Sequence, residues 1–244
     1  MSKVKVLSVA THRERMIDIF EASCDVLGYD LQLLGVGKKW RGFSWRFDLI
    51  KEALRDMSDE QVVLVCDAFD TVLLESASVL VDRFNGYKGD LLFTTEPNDF
   101  NPFIQYYRWR LFGTNIINGG TYVGRAGALR QFISTLSYDN TTDDQKLLSR
   151  VCSELPVDTD SLVAFHCPRM YRGELPTIKP CLISFPGNGE QQRFLNALEI
   201  DYTFTMCSDH WYIMWYYRLC HYLPVFFPEL VCMGIGCGAL LLRF

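Results

Sequence analysis

Short apolar runs rich in β-branched residues alternate along this chain with segments whose apolar residues recur at helical spacing. Val4–Ala10 and Val62–Cys66 are runs of the first kind, which is typical of parallel strands buried on both faces. Between them, Ile17, Phe20 and Cys24 fall on one face of a helix. The alternation predicts an α/β fold of Rossmann-like type, with a mainly parallel sheet flanked by helices.

Composition narrows the classes of protein that fit this pattern. The 244 residues are 49% hydrophobic with a formal net charge of −5, which excludes a disordered chain and argues against nucleic acid as a partner. The nine cysteines are odd in number and form no Cys-x-x-Cys pair. We therefore expect reduced, mostly structural thiols rather than a disulfide framework or a zinc site.

The hydrophobic excess is concentrated at the end of the sequence. Residues 211–244 begin with a cluster of Trp and Tyr. The stretch from Tyr222 to Leu242 contains one charged residue, Glu229. That length and aromatic flank suit a membrane anchor, whereas Glu229 favours the alternative of a buried C-terminal helix pair. The sequence thus predicts a soluble α/β domain at 1–205 and a hydrophobic tail at 206–244.

The N-terminal apolar run is short and is followed at once by charged residues, which is unlike a secretory signal peptide. We therefore expect the domain to be cytoplasmic and membrane-associated through its tail.

Two carboxylates follow the most apolar of the predicted strands. Asp67 and Asp70 come directly after Val62–Cys66, and in open α/β sheets ligands bind beyond the carboxyl ends of the strands. A pair of carboxylates at this place suits a hard divalent cation that also binds phosphate oxygens. The alternative is that one Asp caps the following turn while the other is solvated.

Two glycine-containing motifs are less specific. Asn118-Gly119-Gly120 predicts either a tight turn or a close approach of backbone to a ligand. Gly187-Asn188-Gly189 follows a short apolar run and predicts a turn.

Two adjacent carboxylates, Asp143 and Asp144, precede an apolar helical segment. Thr142 and Gln145 have the spacing of a capping box, which places both Asp residues in the first helical turn. The same carboxylates could equally serve as a base or bind sugar hydroxyls.

The order of these motifs resembles the N-terminal glycosyltransferase domain of the procollagen lysyl hydroxylases. The similarity includes the stretch Leu34-Gly-Val-Gly37-Lys-Lys-Trp40-Arg-Gly42 and runs from about Lys3 to Gly189. It implies a GT-A-like fold. It also implies Mn²⁺-dependent transfer of a hexose from UDP-glucose or UDP-galactose to hydroxylysine or galactosyl-hydroxylysine on a collagen-like polypeptide.

The resemblance also implies roles for individual residues. Asp67 and Asp70 match aspartates that hold Mn²⁺ and the UDP diphosphate, and Val9 and Thr11 match the uridine site. Arg46 stands near a lysine that faces the nucleotide. The residues matched to the sugar, the acceptor and the remaining donor contacts are Asn118, Asp143 and Asp144 as catalytic candidates, and Gly187, Asn188 and Gly189 as donor-binding candidates.

The chain departs from the family pattern at the third metal ligand. Pro186 stands where the family has the His of a His-Gly-Asn-Gly motif, and the acidic run before Asp143 is shortened. A transferase-like but catalytically impaired, membrane-tethered binding module is therefore the alternative to an active enzyme. Haloacid-dehalogenase-type phosphatases fit less well, because their paired aspartates are two residues apart on a first strand.

Overall fold

The computed structural model describes residues 3–97, 105–106, 108–110, 116–152, 155–168, 171, 173–186 and 192–203. The helices are Ile17–Val26 (α1), Trp45–Leu54 (α2), Ala77–Gly86 (α3), Ala126–Thr135 (α4), Asp144–Val151 (α5) and Gln192–Ala197 (α6). The strands are Lys5–Val9 (β1), Asp30–Leu34 (β2), Val62–Val65 (β3), Thr71–Leu73 (β4), Leu91–Thr95 (β5), Ile117–Arg125 (β6), Val157–Asp158 (β7), Ala164–His166 (β8) and Leu182–Ser184 (β9).

The main sheet has the strand order β2-β1-β3-β6-β5-β7. β1 pairs in parallel with β2 and β3, and β5 with β7, whereas β6 runs antiparallel to both of its neighbours. A smaller sheet has the order β4-β9-β8. The prediction of an α/β, Rossmann-like fold with a mainly parallel sheet flanked by helices is confirmed.

Both faces of the main sheet are covered by helices. In β3, Val63 and Val65 pack in one hydrophobic cluster with α2, α4 and α5, while Leu64 packs in another with α1 and α3. This is why the strand is apolar at consecutive positions instead of alternating. The described cysteines, Cys24, Cys66, Cys152, Cys167 and Cys181, are buried and free.

The sequence pattern did not predict β6. The nine residues of this strand include Asn118, Gly119 and Gly120, so the tight turn expected at this motif is wrong. The two glycines instead lie close to Asp67, Asp144 and Gln145 of the protein itself, and the approach to a ligand stays a prediction. Glycines weaken strand propensity, and their presence here reflects neighbours that leave no room for a side chain.

Two predictions lie outside the described residues, the turn at Gly187-Asn188-Gly189 and the tail at 206–244. Within the part of the chain that is described, no helix is both long and apolar enough to cross a membrane. The domain boundary at 205 stays a prediction.

Candidate active site

The site lies at the carboxyl edge of the main sheet. β1 and β3 are parallel neighbours, so the residues that follow them, Thr11 and Asp67, emerge at the same edge. β6 is antiparallel to β3, and Val65 pairs with Tyr122. The first residues of β6, Asn118 to Gly120, therefore lie beside the segment that carries Asp67.

The glycine pair gives the carboxylates room. A Cβ on Gly120 would overlap the carboxylate of Asp67, and a Cβ on Gly119 would lie 2.9 Å from the Gln145 amide nitrogen and 3.0 Å from Asp144 Oδ1. Only glycine lets the strand approach both acidic groups this closely.

A buried arginine joins the two acidic groups. Arg46, on α2 and 7% exposed, places Nη2 3.0 Å from Asp67 Oδ1 and Nη1 3.3 Å from Asp144 Oδ2. Nη2 also donates to the Gly120 carbonyl oxygen at 3.3 Å. Burial disfavours the charged guanidinium, but Asp67 and Asp144 outweigh it and hold the pKa of Arg46 above its usual value. Arg46 thus fixes the relative position of two carboxylates from different elements.

The second aspartate after β3 is buried. Asp70 accepts a long hydrogen bond of 3.5 Å from the Thr71 hydroxyl. Burial, together with the charge of Asp67, raises the pKa of Asp70 to about 7, against the opposing charges of Arg15 and Arg46. Burial also raises the pKa of Asp144, with Arg46 opposing the shift. The site is therefore a cluster of carboxylates that a cation would stabilise.

The donor set fits a divalent cation that takes part of its shell from a ligand. Among the described residues, no group of three or more His, Cys, Asp or Glu side chains is arranged to hold a metal ion. Two carboxylates are nonetheless sufficient for Mg²⁺-like ions that also bind phosphate oxygens and water.

Glu96 is a site residue that the sequence analysis missed. It follows β5, is 6% exposed, and accepts from Arg108 Nη2 at 2.6 Å, Asn118 Nδ2 at 3.3 Å and Gln145 Nε2 at 3.2 Å. Asn118 in turn accepts from the Gly120 amide at 2.9 Å. The available signal was the one that identified Asp67, a carboxylate directly after an apolar strand.

The two carboxylates at the start of α5 differ in environment. Asp143 is the N-cap and accepts from the Lys146 amide at 2.9 Å, with its side chain 44% exposed. Asp144 is buried against Arg46. The capping box with Thr142 as N-cap is therefore wrong by one residue, because the Thr142 hydroxyl donates to Asp139 instead.

The first three fifths of the chain match a known protein family. The family model described as the PLOD GT domain matches residues 1–152. The chain belongs to the PLOD glycosyltransferase-domain family. The resemblance inferred from the motifs is confirmed.

Curated relatives of this PLOD-type domain are distant and much longer. The human multifunctional procollagen lysine hydroxylase and glycosyltransferase LH3 is 24% identical over 161 residues, which is 61% of this chain and 22% of the relative. The rat LH3 is 26% identical over 159 residues, 59% of this chain and 21% of the relative. The mouse procollagen-lysine,2-oxoglutarate 5-dioxygenase 1 is 23% identical over 158 residues, which is 60% of this chain and 22% of the relative. The chain spans about a fifth of the length of these relatives.

Solved structures similar to this PLOD-type domain are more distant still. A197 from STIV has a TM-score of 0.38 at 11% identity, covering 62% of this chain and 78% of its own. The 4-diphosphocytidyl-2C-methyl-D-erythritolsynthase from Anaerococcus prevotii has a TM-score of 0.35 at 11% identity. The match covers 64% of this chain and 87% of the synthase chain.

The residues matched to the uridine site of the family lie beside the acidic cluster. Val9 is buried at the end of β1, and the Thr11 carbonyl oxygen accepts from the Gly37 amide at 2.9 Å. This bond holds the loop after β2 next to Thr11. The loop presents Trp40, which is 42% exposed and whose ring lies 5.9 Å from that of Trp45.

Pro186 stands at the position where the family pattern has its third metal ligand. The Phe185 amide donates to the Asp70 carbonyl oxygen at 2.8 Å, which brings Pro186 next to the segment that carries Asp67 and Asp70. The proline offers no side-chain ligand.

Proposed function

We propose that this PLOD-type domain is a Mn²⁺-dependent glycosyltransferase. It moves a hexose from UDP-glucose or UDP-galactose to hydroxylysine or galactosyl-hydroxylysine on a collagen-like polypeptide. The observation that carries the proposal is the carboxylate cluster beyond β3, in which Arg46 bridges Asp67 and Asp144 at 3.0 and 3.3 Å.

Each residue of the cluster has a task in this reaction. Asp67 and Asp70 would hold Mn²⁺, which when bound supplies positive charge opposite the diphosphate leaving group. Asp144 accepts bonds from Arg46 and from the Gln145 amide, one on each oxygen. Each oxygen can accept a second bond, so Asp144 can orient a sugar or acceptor hydroxyl.

Aromatic rings at the same edge support a nucleotide donor. Trp40, which is exposed, lies on the loop tied to Thr11. Phe69, which stands between the two aspartates in the sequence, has its ring 5.3 Å from that of His12. Aromatic faces of this kind stack on bases. The collagen-like acceptor is supported by the printed names of the relatives, which join procollagen lysine hydroxylase with glycosyltransferase.

A specific observation favours a second candidate function. Pro186 lies next to the aspartate segment and cannot ligate a metal, which suits a domain that binds donor nucleotide but has lost turnover. In that case the chain would be a membrane-tethered binding module.

The experiment measures Mn²⁺-dependent hydrolysis of UDP-glucose and UDP-galactose, and transfer to a hydroxylysine peptide, by the full chain. We expect turnover to fall by roughly 100-fold or more in Asp67→Asn and Asp70→Asn, because each removes a carboxylate that would hold the Mn²⁺ whose charge balances the leaving group. Asp30→Asn, an exposed aspartate at the start of β2, is the matched control.

Metal-dependent UDP binding without turnover, with turnover restored by Pro186→His, would favour the binding module. A chain that neither turns over a UDP-sugar nor binds UDP would contradict both functions.

A further inference from the structure

The loop after β1 lies directly against the loop that carries the two aspartates. The Met16 amide donates to the Phe69 carbonyl oxygen at 3.3 Å, and the His12 and Phe69 rings are 5.3 Å apart. Met16 itself is fully buried. Arg15, between these anchors, is therefore held beside Asp70.

Arg15 has a backbone conformation that is unusual for its residue type. Its φ of 52° lies in the left-handed region, which non-glycine residues seldom adopt. The residue is partly buried, and the contacts of Met16 fix the conformation. These contacts hold the backbone of Arg15 against the segment that carries Asp70.

Of the two arginines in this loop, Arg13 is paired with acidic side chains and Arg15 is not. Arg13 pairs with Asp18 and Glu21, each at 2.5 Å, on the outer surface of α1. Within the described part of the chain, Arg15 forms no ion pair or hydrogen bond. Its positive charge acts to lower the pKa of Asp70. Arg15 is therefore a cation available to a ligand.

The charge balance of the site creates a need for such a cation. Arg46 already pairs with Asp67 and Asp144, so its charge is not free to neutralise a diphosphate that approaches this edge. Pro186 adds no metal ligand that would hold a cation more firmly. The guanidinium of Arg15 at this edge reduces the repulsion.

We propose that Arg15 binds the diphosphate of the nucleotide-sugar donor, with its guanidinium donating to phosphate oxygens. This assignment rests on the proposed function and adds a donor-binding residue to it. A guanidinium suits the task because its planar donors match two phosphate oxygens at once.

The test compares UDP, measured by titration calorimetry, with uridine, measured by ligand-observed NMR, both with Mn²⁺ and the full chain. Arg15→Asn removes the charge but tolerates the left-handed backbone. We expect its affinity for UDP to fall roughly 10- to 100-fold while its affinity for uridine is unchanged, since a charged hydrogen bond contributes on that scale. Arg15→Lys should retain part of the affinity. The difference in UDP affinity between the wild-type chain and Arg15→Asn should shrink at high salt.

Arg13→Asn is the matched control, because it removes a guanidinium from the same loop that is already paired. Arg15→Gly, which relieves the backbone, checks folding through its thermal unfolding midpoint. UDP affinity unchanged in Arg15→Asn would overturn the assignment and leave the proposed function standing. A wild-type chain that binds uridine and UDP equally would also overturn it, and one that binds neither would overturn the proposed function as well.

Discussion

At the residue scale, one glycine of the site lies too close to a carboxylate to carry a side chain. Gly120 has its backbone against Asp67, and its carbonyl oxygen accepts from Arg46, which also pairs with Asp67. A methyl group at this position displaces the carboxylate or the strand. The glycine is therefore required by its neighbours.

Gly120→Ala should lower both the turnover of the enzyme and the stability of the fold. We expect a loss of roughly 1–3 kcal/mol in the free energy of unfolding, as for overpacking of a core, together with loss of Mn²⁺-dependent UDP-sugar hydrolysis. Denaturant unfolding and the hydrolysis assay measure the two effects.

The matched control for this substitution is Gly86→Ala. Gly86 ends α3, and a Cβ there meets no atom within 4 Å. Equal behaviour of the two alanine variants would show that the Gly120 contact with Asp67 is unimportant.

At the element scale, the position of α5 depends on its first residues. Asp143 caps the helix while Asp144 pairs with Arg46, so one helix start supplies both a structural and a site carboxylate. Because the two residues are adjacent, their spacing in the sequence does not show which one caps the helix and which one pairs with Arg46.

Asp143→Ala should lower the free energy of unfolding by about 1 kcal/mol, because the Lys146 amide loses its acceptor. Asp143→Ser, which keeps an N-cap acceptor, should restore most of it. Denaturant unfolding of both variants, beside Thr142→Ala, measures the effect. A larger loss in Thr142→Ala than in Asp143→Ala would mean that Thr142 is the cap after all.

At the scale of the whole molecule, a buried histidine joins the two sheets. His166, on β8, places Nε2 2.8 Å from the hydroxyl of Thr94 on β5 and Nδ1 2.6 Å from that of Ser184 on β9. The Thr94 hydroxyl donates to the Thr121 carbonyl oxygen, so it accepts from Nε2–H, and Ser184 donates to Nδ1. Both ring nitrogens are thereby engaged with the protein, which leaves neither free for a metal ion.

This histidine should make the fold sensitive to acid. Burial lowers the pKa of His166 to about 3 from an ordinary value of 6.5. Between these two values the unfolded chain binds the extra proton, so the contribution of His166 to stability falls as pH drops below 6.5, by about 1.4 kcal/mol per pH unit. The raised pKa of Asp70 acts in the opposite direction over the same pH range. The contribution of His166 is therefore the difference in slope between the wild-type chain and a variant without this histidine, with the free energy of unfolding measured between about pH 7 and 5.

The slope should be reduced in His166→Gln, whose amide can donate and accept but does not titrate. His12→Gln, at an exposed histidine, should leave it unchanged. A slope that is equal in wild type and His166→Gln would assign the acid sensitivity to other groups.

Much of the fold could be predicted from the sequence, because burial on both faces leaves a continuous apolar signal. β1 and β3 were predicted for this reason, and Asp67 and Asp70 followed from the place where β3 ends. β6 was missed since Gly119 and Gly120 are determined by contacts with Asp67 and Gln145, which are distant in sequence. Glu96 was missed for a similar reason, as its partners Asn118 and Gln145 come from two other elements.

The sequence by itself determined the layered α/β architecture, the family and the edge at which the carboxylates emerge, because periodicity and strand ends are local properties of the chain. Only the tertiary structure decided that Arg46 joins Asp67 to Asp144, that Asp143 is a cap, and that the loop after β1 contacts the segment that carries Asp70. Those relations depend on distances between segments far apart in the chain, where burial and charge act through space.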